Sequence, residues 1–447
     1  MRLKCCTFVL ALLLILPFLL SCASLTPIAT AETPPDLYFG VDVAYGNLTL
    51  TEHLVDEISS YTNLFIIGCT NSYNQTQLTV LSQYLYDRDM YFIVYTDFHR
   101  YPSQQWLQTA QSEWGSRFLG IYYYDEPGGK QLDQTFPTVT YATNYTDAAN
   151  QYVRLENNSL RGPRSIVNSF AYPSEYPLFT SDYGLYWYDY ESGYNAVFAE
   201  FGSNYSRQLN VDLCRGAAIV QNKSWGVMID WTYRQPPYIE NGTLLYNDML
   251  LAYNNGAKYI VIFDSNKNYT EDILQQQNQN DLPYMQEFWQ YVLQHPRDDA
   301  PTSSKVACVL PEDFGYGFRG TTDTIWGLWT GKSNSEINLT INDVCWSVGL
   351  LLQKYGGNMD IVYPNESPSI VSLGYQYVID WNDTALLTQL LGSTYQNGIP
   401  TMAQKAASPG TQIGAILLPA SVAGACIIAV AATAFVKLKK KSHGSIP

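Results

Sequence analysis

Between Leu37 and His295 the chain repeats one pattern: a short, nearly continuous apolar run, a polar loop, then a segment with helical spacing. The apolar runs are LYFGVDV (37–43), NLFIIGC (63–69), MYFIVYTD (90–97), FLGIYYYDE (118–126), PLFTSD (177–182), NAVFAEF (195–201), WGVMIDW (225–231) and KYIVIFD (258–264). Between them, TQLTVLSQYLYDRD, TDAANQYVRLENNSLRG, SRQLNVDLCRGAAIVQ and GTLLYNDMLLAYNNG carry helical spacing. Unbroken apolar strands alternating with helices predict a parallel sheet covered on both faces. Eight such units over residues 32–300 predict a (β/α)8 TIM barrel, in which every strand ends on the face that carries the active site.

Seven of the eight runs finish at or beside an acid: Asp42, Asp97, Asp125 with Glu126, Asp182, Glu200, Asp230 and Asp264; the second ends at Cys69. Taken singly, each acid is as well explained by capping a helix or closing a turn. Together on one barrel face they would converge. Successive strand side chains alternate between faces. In the fourth run Leu119, Ile121, Tyr123 and Asp125 therefore share one face and Gly120, Tyr122, Tyr124 and Glu126 the other. The aliphatic set is expected against the helices, leaving Glu126 directed inward. Asp42 and Asp230 share faces with small or central residues and are expected inward too, whereas alternation leaves Glu200 and Asp264 open.

The pattern restarts with KVACVLP (305–311), a helix at INDVCWSVGLLLQKYGG, then MDIVYP and YQYVIDW, predicting a small α/β domain over 301–391. GYGFRGTTDTIWGLW (315–329) reads as a structured loop or interface. A Gly, Pro, Ser, Ala and Thr-rich stalk (392–412) follows. Residues 413–436 are uncharged and long enough for a membrane helix, and Lys437, Lys439, Lys440 and Lys441 place the tail 437–447 in the cytoplasm. At the other end, a basic start, an apolar run and Ala29-Thr30-Ala31 read as a signal peptide (1–31), with Cys22 as an alternative lipidation site. The expected product is a single-pass cell-surface protein with its folded domains outside.

Asn-x-Ser/Thr sequons fit that placement: Asn47, Asn74, Asn144, Asn157, Asn204, Asn222, Asn241, Asn268, Asn338, Asn365 and Asn382, against about four expected by chance. The formal charge of −15 includes six cations at the two ends, so the part between carries −21. Nucleic acid is thereby excluded as a partner. Of eight cysteines, Cys69, Cys214, Cys308 and Cys345 remain in the exported part. These are too few for a disulfide scaffold; Cys308–Cys345 is one expectation, buried free thiols the other.

Histidine is scarce: His53, His99, His295 and the tail's His443. No Ser-His or Cys-His hydrolase arrangement, zinc-binding HExxH, phosphate loop or dinucleotide fingerprint is present. No cofactor or metal is called for, although Asp42, Asp97 and Asp182 are a weaker reading as a cation site. Two opposed carboxylates suffice for glycoside hydrolysis without either. With 37 Tyr and 10 Trp, a saccharide cleft is chemically well supplied. Tyr122, Tyr124, Trp231 and Tyr233 are the nearest aromatic candidates, with Asp42, Asp97, Asp125, Asp182 and Asp264 as polar substrate contacts.

Asp125-Glu126-Pro127 resembles the Asn-Glu-Pro of the large retaining clan of barrel glycoside hydrolases, which implies Glu126 as general acid/base at the end of strand four. GIYYYDEP is similar to the strand ending of spherulin-4-like barrel hydrolases. Asp125 stands where the clan has asparagine, and Asp230 lies on the strand that carries its nucleophilic glutamate. Asp230 and Glu200 are thus both candidates for the second carboxylate. The segment after the barrel resembles the amidotransferase-like (flavodoxin-type) domain of some β-galactosidases, implying assembly into an oligomer. The resulting expectation is a surface glycoside hydrolase-like protein acting on a glycan. The alternative is a non-catalytic barrel that binds glycans or mediates adhesion.

Overall fold

The computed structural model describes residues 36–392, apart from 45–46, 69–73, 97–101, 169–175, 203–204, 231–240, 265–281, 298–303, 321–322, 332–333 and 366–367. Eight parallel strands close into a barrel in sequence order. They are β1 (Tyr38–Val43), β2 (Leu64–Ile67), β3 (Tyr91–Thr96), β4 (Phe118–Tyr123), β5 (Leu178–Asp182), β6 (Ala196–Phe201), β7 (Ser224–Asp230) and β8 (Tyr259–Asp264). Closure is direct, with β1 pairing both β2 and β8. The helices are α1 (Leu48–Ile58), α2 (Gln75–Tyr86), α3 (Gln104–Thr109), α4 (Pro127–Asp133), α5 (Tyr145–Asn168), α6 (Tyr186–Ser192), α7 (Arg207–Val220), α8 (Gly242–Asn254) and α9 (Leu282–Gln294). The expected (β/α)8 barrel is therefore present.

Alternation divides the strand residues into two cores. Tyr38, Leu64, Ile66, Tyr91, Ile93, Tyr122, Phe179, Phe198, Met228, Tyr259 and Val261 fill the barrel interior. Val41, Phe65, Ile121, Val197, Val227 and Ile260 face the helices. Rings do much of the interior filling: Tyr38 stacks on Tyr259 at 5.0 Å, and Phe179 meets Tyr259 edge-on at 5.4 Å. The interior is packed solid beneath the strand ends, so any site must lie above it.

One expectation about facing fails in β4. Leu119, assigned to the outer face with Ile121, packs against the interior cluster. The cause is a register shift, in which Phe92 pairs with Phe118 but Ile93 pairs with Gly120. Gly120 has φ +146°, and a Cβ there would sit 2.2 Å from the Pro177 carbonyl oxygen. An irregularity of this kind resets the alternation, and Tyr122 still arrives inside.

After the barrel, β12 (Met359–Val362), β9 (Val306–Val309) and β13 (Tyr377–Asp380) form a parallel sheet in that order. A two-stranded sheet of β10 (Thr324–Ile325) and β11 (Trp329–Thr330) precedes the long α10 (Ser335–Tyr355), and α11 (Thr384–Leu391) follows β13. The expected boundary between residues 300 and 301 falls outside the described residues. The hydrophobic core nevertheless runs across it, and Leu37 onwards forms one compact unit. Arg215 on α7 is buried at the junction, with Nε 2.6 Å from Asp360 Oδ1 and Nη2 2.6 Å from the Met359 carbonyl oxygen. Tyr363 packs on Trp187 and Tyr188 of α6 at 5.4 Å and 5.3 Å.

Cys214, Cys308 and Cys345 are free thiols, so the expected Cys308–Cys345 pair is not formed. Cys308 is sealed in the central strand β9, while Cys345 lies on α10 beside Tyr316. Cys69, the signal segment 1–31, the stalk after Gly392, the span 413–436 and the tail lie outside the described residues. Among the described residues no helix is long and apolar enough to cross a membrane.

Removing one partner of a buried ion pair leaves an uncompensated charge, at a cost of about 3–5 kcal/mol. Arg215 keeps the buried Asp212 at 3.3 Å, so Asp360→Ala removes one of two partners and is expected to lower stability by less than that, about 1–3 kcal/mol. Because the junction belongs to one core, chemical denaturation should show a single transition moved to lower denaturant; a separate early transition would mean that the C-terminal sheet unfolds independently.

Candidate active site

Strand β4 ends at Tyr123, and the next three residues leave the strand conformation. Tyr124 has φ +53° and Glu126 has φ +52°, both left-handed. Non-glycine residues held there cost about 1–3 kcal/mol each and persist only where their surroundings enforce it. The enforcing contacts are visible. Glu126 N–H donates to the Ser181 carbonyl (3.0 Å), and Thr180 Oγ1 donates to the Tyr124 carbonyl (2.7 Å). Pro127 then starts α4, so Pro-Gly-Gly opens a helix rather than breaking one.

The two glycines are there for close approach. Gly128 and Gly129 donate their amides to Asp182 at 2.5 Å and 2.8 Å. A Cβ on Gly129 would lie 2.1 Å from the Tyr183 ring. Asp182 also accepts from the Tyr183 and Gly184 amides. It is fully buried and spent on four backbone donors, so it holds the loop rather than facing the bowl. Asp189 on α6 lies behind it and takes a hydrogen bond from Tyr152 (2.8 Å). Burial and the neighbouring Asp182 charge push Asp189 far above the usual carboxylate range. With four donors aimed at Asp182, the proton belongs on Asp189.

Four other carboxylates gather at the strand ends. Tyr122, on the barrel floor, donates to Asp125 Oδ1 at 2.6 Å, and the Ser181 hydroxyl lies 3.1 Å from the same oxygen. Ser181 is also 2.6 Å from Glu200 Oε1. One hydroxyl proton cannot serve two carboxylates at once. Burial, then the charges of Glu126, Asp230 and Asp125, raise Glu200 well above its ordinary value, and a neutral Glu200 removes the conflict. Glu200 and Asp230 share their strand faces with the interior residues Phe198 and Met228. The face of Glu200, open by alternation alone, is thus inward.

Glu126 and Asp125 both reach solvent, with 31% and 39% of their side chains exposed. Protein around the foot of Glu126, then the Asp125 charge, raise it to about 8 against the opposing pull of Lys130. Lys130 Nζ stands 3.6 Å from Glu126 Oε2 and 3.8 Å from Asp125 Oδ2. Asp230 is half-buried and raised to about 7 by burial and Asp125, with Arg207 opposing. Asp42 is buried in the interior within electrostatic reach of Tyr122.

Of the other expected site residues, Tyr124 packs against the barrel–helix core under Lys130 Nζ (5.2 Å) instead of lining the bowl with Glu126. Its left-handed backbone breaks the alternation that had paired them. Asp97, His99, Trp231 and Tyr233 lie outside the described residues, as does the side chain of Asp264. Among the described residues no group of three or more His, Cys, Asp or Glu is arranged to hold a metal ion. Sequence reading missed Ser181, Lys130 and Arg207. Alternation along PLFTSD places Ser181 with the interior Phe179, and Lys130 follows Glu126 by one helical turn once α4 begins at Pro127.

No family model matches the chain, and no curated protein matches it. Solved structures of similar fold include PbGH5A, a glycoside hydrolase family 5 enzyme from Prevotella bryantii B14, at 9% identity and TM-score 0.36, covering 57% of this chain and 96% of that one. Another is the GH99 endo-alpha-mannosidase from Bacteriodes thetaiotaomicron, at 10% identity and TM-score 0.37, covering 59% and 98%. A dihydrodipicolinate synthase from Aquifex aeolicus is also similar, at 10% identity and TM-score 0.28, covering 58% and 80%. Likeness at this level carries no argument about chemistry, and the barrel assignment stands on its own strand pairing.

Glu126 and Asp230 hold protons in the folded chain at pH values where the unfolded chain has lost them. Their contribution to stability is complete below about pH 4, the unfolded carboxylate range. It is lost progressively as pH rises to about 7 for Asp230 and about 8 for Glu126. Thermal melts across that interval should therefore show Tm falling with rising pH. A Tm that climbs over the same range would contradict the protonated cluster.

Proposed function

We propose that the chain is a surface-held, glycan-acting hydrolase that uses Glu126 as general acid and Asp230 as the ionised partner. The observation that carries the reading is the convergence of Asp125, Glu126, Glu200 and Asp230 at one rim, with a solvent-reaching glutamate whose proton is retained to about 8. Glycoside hydrolysis needs one protonated carboxyl to assist departure of the leaving oxygen and one ionised carboxylate opposite. Glu126 has the proton and the access. Asp230 is favoured over Glu200 as partner, because Arg207 supports its charge and it is less deeply buried. Glu200 is sealed against Ser181 and acts with Tyr122 as the floor. No metal is called for by this donor set.

The reading includes export by the segment 1–31 and retention by the span 413–436, which the sequons and the lysine stop support. A second reading, glycan binding without turnover, draws on Lys130, which stands between the Asp125 and Glu126 carboxylates and favours the charged form of Glu126. The two readings part at one substitution.

Glu126→Gln keeps the shape of the protonated side chain. It should abolish hydrolysis of a matching glycan, leave the fold intact and flatten the alkaline fall in Tm. In the wild type, kcat/KM should have an acid limb near the Asp230 value of about 7 and decline above about 8 as Glu126 ionises. Full turnover by the Gln variant would remove Glu126 from the chemistry; binding without turnover by the wild type on every glycan tested would select the second reading.

A further inference from the structure

Among the described residues, four sequons stand at helix starts. Asn47, Asn74, Asn144 and Asn241 are the N-caps of α1, α2, α5 and α8, and all four are exposed. In a (β/α)8 barrel the helices run antiparallel to the strands, so their N-termini lie on the face where the strands end. These four asparagines therefore stand on the rim around Glu126, at positions following β1, β2, β4 and β7.

At each of the four, the cap is made by the amide oxygen. Oδ1 accepts from the backbone N–H of Leu50 (3.1 Å), Gln77 (2.9 Å), Asp147 (2.8 Å) and Thr243 (2.8 Å) respectively. Capping requires the oxygen alone, so a substituent on Nδ2 leaves the helix start intact. Other sequons differ. Asn157, half-buried between α5 and α6, turns Nδ2 inward to the Ser192 carbonyl (2.9 Å), and Asn365 turns Nδ2 to the Pro368 carbonyl (3.0 Å). A sugar on Asn157 would have to fit between two packed helices.

We infer that Asn47, Asn74, Asn144 and Asn241 carry N-linked glycans that ring the mouth of the bowl and confine its substrate to glycan chain ends or short oligosaccharides approaching along the barrel axis. In each attachment Nδ2 bonds to the anomeric carbon of an oligosaccharide held on a lipid-linked phosphate donor. The anomeric C–O bond to phosphate breaks, the lipid phosphate leaves, and the displaced amide proton passes to solvent. A long polysaccharide laid across the barrel face would collide with glycans on opposite sides of the rim, whereas a chain end would not. The restriction on substrate rests on the hydrolase reading above; the attachment sites rest only on export.

The test is site-by-site glycopeptide mass mapping of the full-length chain purified from the membranes of the cells that make it. Glycan is expected at the four rim asparagines, with Asn157 and Asn365 unmodified. Glycan at exposed Asn222 or Asn382 with a bare rim would overturn the inference while leaving export standing. A chain without glycan anywhere would overturn both. The combined Thr49→Ala, Thr76→Ala, Thr146→Ala and Thr243→Ala variant removes the four sequons but keeps every capping asparagine. Its rate on a polymeric glycan relative to a short oligosaccharide should rise several-fold, with the short-substrate rate unchanged. An unchanged ratio would overturn the confinement of substrate even with all four sites occupied.

Discussion

The Asp182 carboxylate is what the rim geometry hangs on. Its four backbone donors come from two segments: Gly128 and Gly129 at the start of α4, and Tyr183 and Gly184 just beyond β5. A carboxylate accepting several amide N–H groups forms a strong, directional joint, because each bond is charge-assisted. The joint fixes where α4 begins, and so the left-handed backbone of Glu126 one residue before it. It acts with the Glu126 N–H bond to the Ser181 carbonyl and the Thr180 bond to the Tyr124 carbonyl to keep Tyr124 and Glu126 in conformations that L-residues disfavour. Strain in the backbone at Glu126 is thus balanced by a buried contact remote from its carboxyl group, with Asp189 supplying the proton that makes two buried acids compatible.

The second constraint is electrostatic. Several carboxylates crowd a region walled by aromatic side chains, and among the described residues the cations beside them are Lys130 above Asp125 and Glu126, and Arg207 beside Asp230. In such surroundings charge is costly, so the cluster holds protons and divides them unequally. Depth does the dividing. Glu200, sealed against Ser181, is the most strongly neutralised, whereas Asp230 has both Arg207 and partial exposure to favour its anion. Glu126 stands between these extremes, protonated yet reachable, the combination a general acid requires.

The barrel was legible because its strands are apolar on both faces and separated by helical spacing, a pattern few other architectures share. Alternation placed Asp42, Asp230 and Tyr122 inside, since each follows regular strand. It failed at Leu119 and Tyr124, where a backbone irregularity resets the facing, and Gly120 was the only visible sign of the first. Asp182 looked like another rim acid, although Leu178 and Thr180 on its own side of the strand indicate the outer face. Glu200 was undecidable, because AVFAEF is apolar on both sides. The Cys308–Cys345 expectation failed because spacing says nothing of direction: Cys308 is enclosed within β9. The Arg215–Asp360 contact joins residues far apart in sequence, and no local pattern announces it.

The C-terminal segment also reaches the site from outside. Trp326, fully buried in the 315–329 loop, packs against Tyr188 at 4.5 Å, and its carbonyl accepts from Gln131 of α4 (2.8 Å). Arg319 on the same loop binds Asp133 at the end of α4 (2.6 Å) and Asp323 (2.7 Å), while Tyr183 donates to Asp133 (2.8 Å). Helix α4 is therefore pinned at its first turn by Asp182 and along its length by this loop. A seven-residue helix has little stability of its own. Its position, and with it the aim of Glu126, is set by both halves of the compact unit. That gives the glycine- and aromatic-rich 315–329 motif a physical role: it braces the helix whose first turn carries the acid, so the small sheet is part of the site's scaffold.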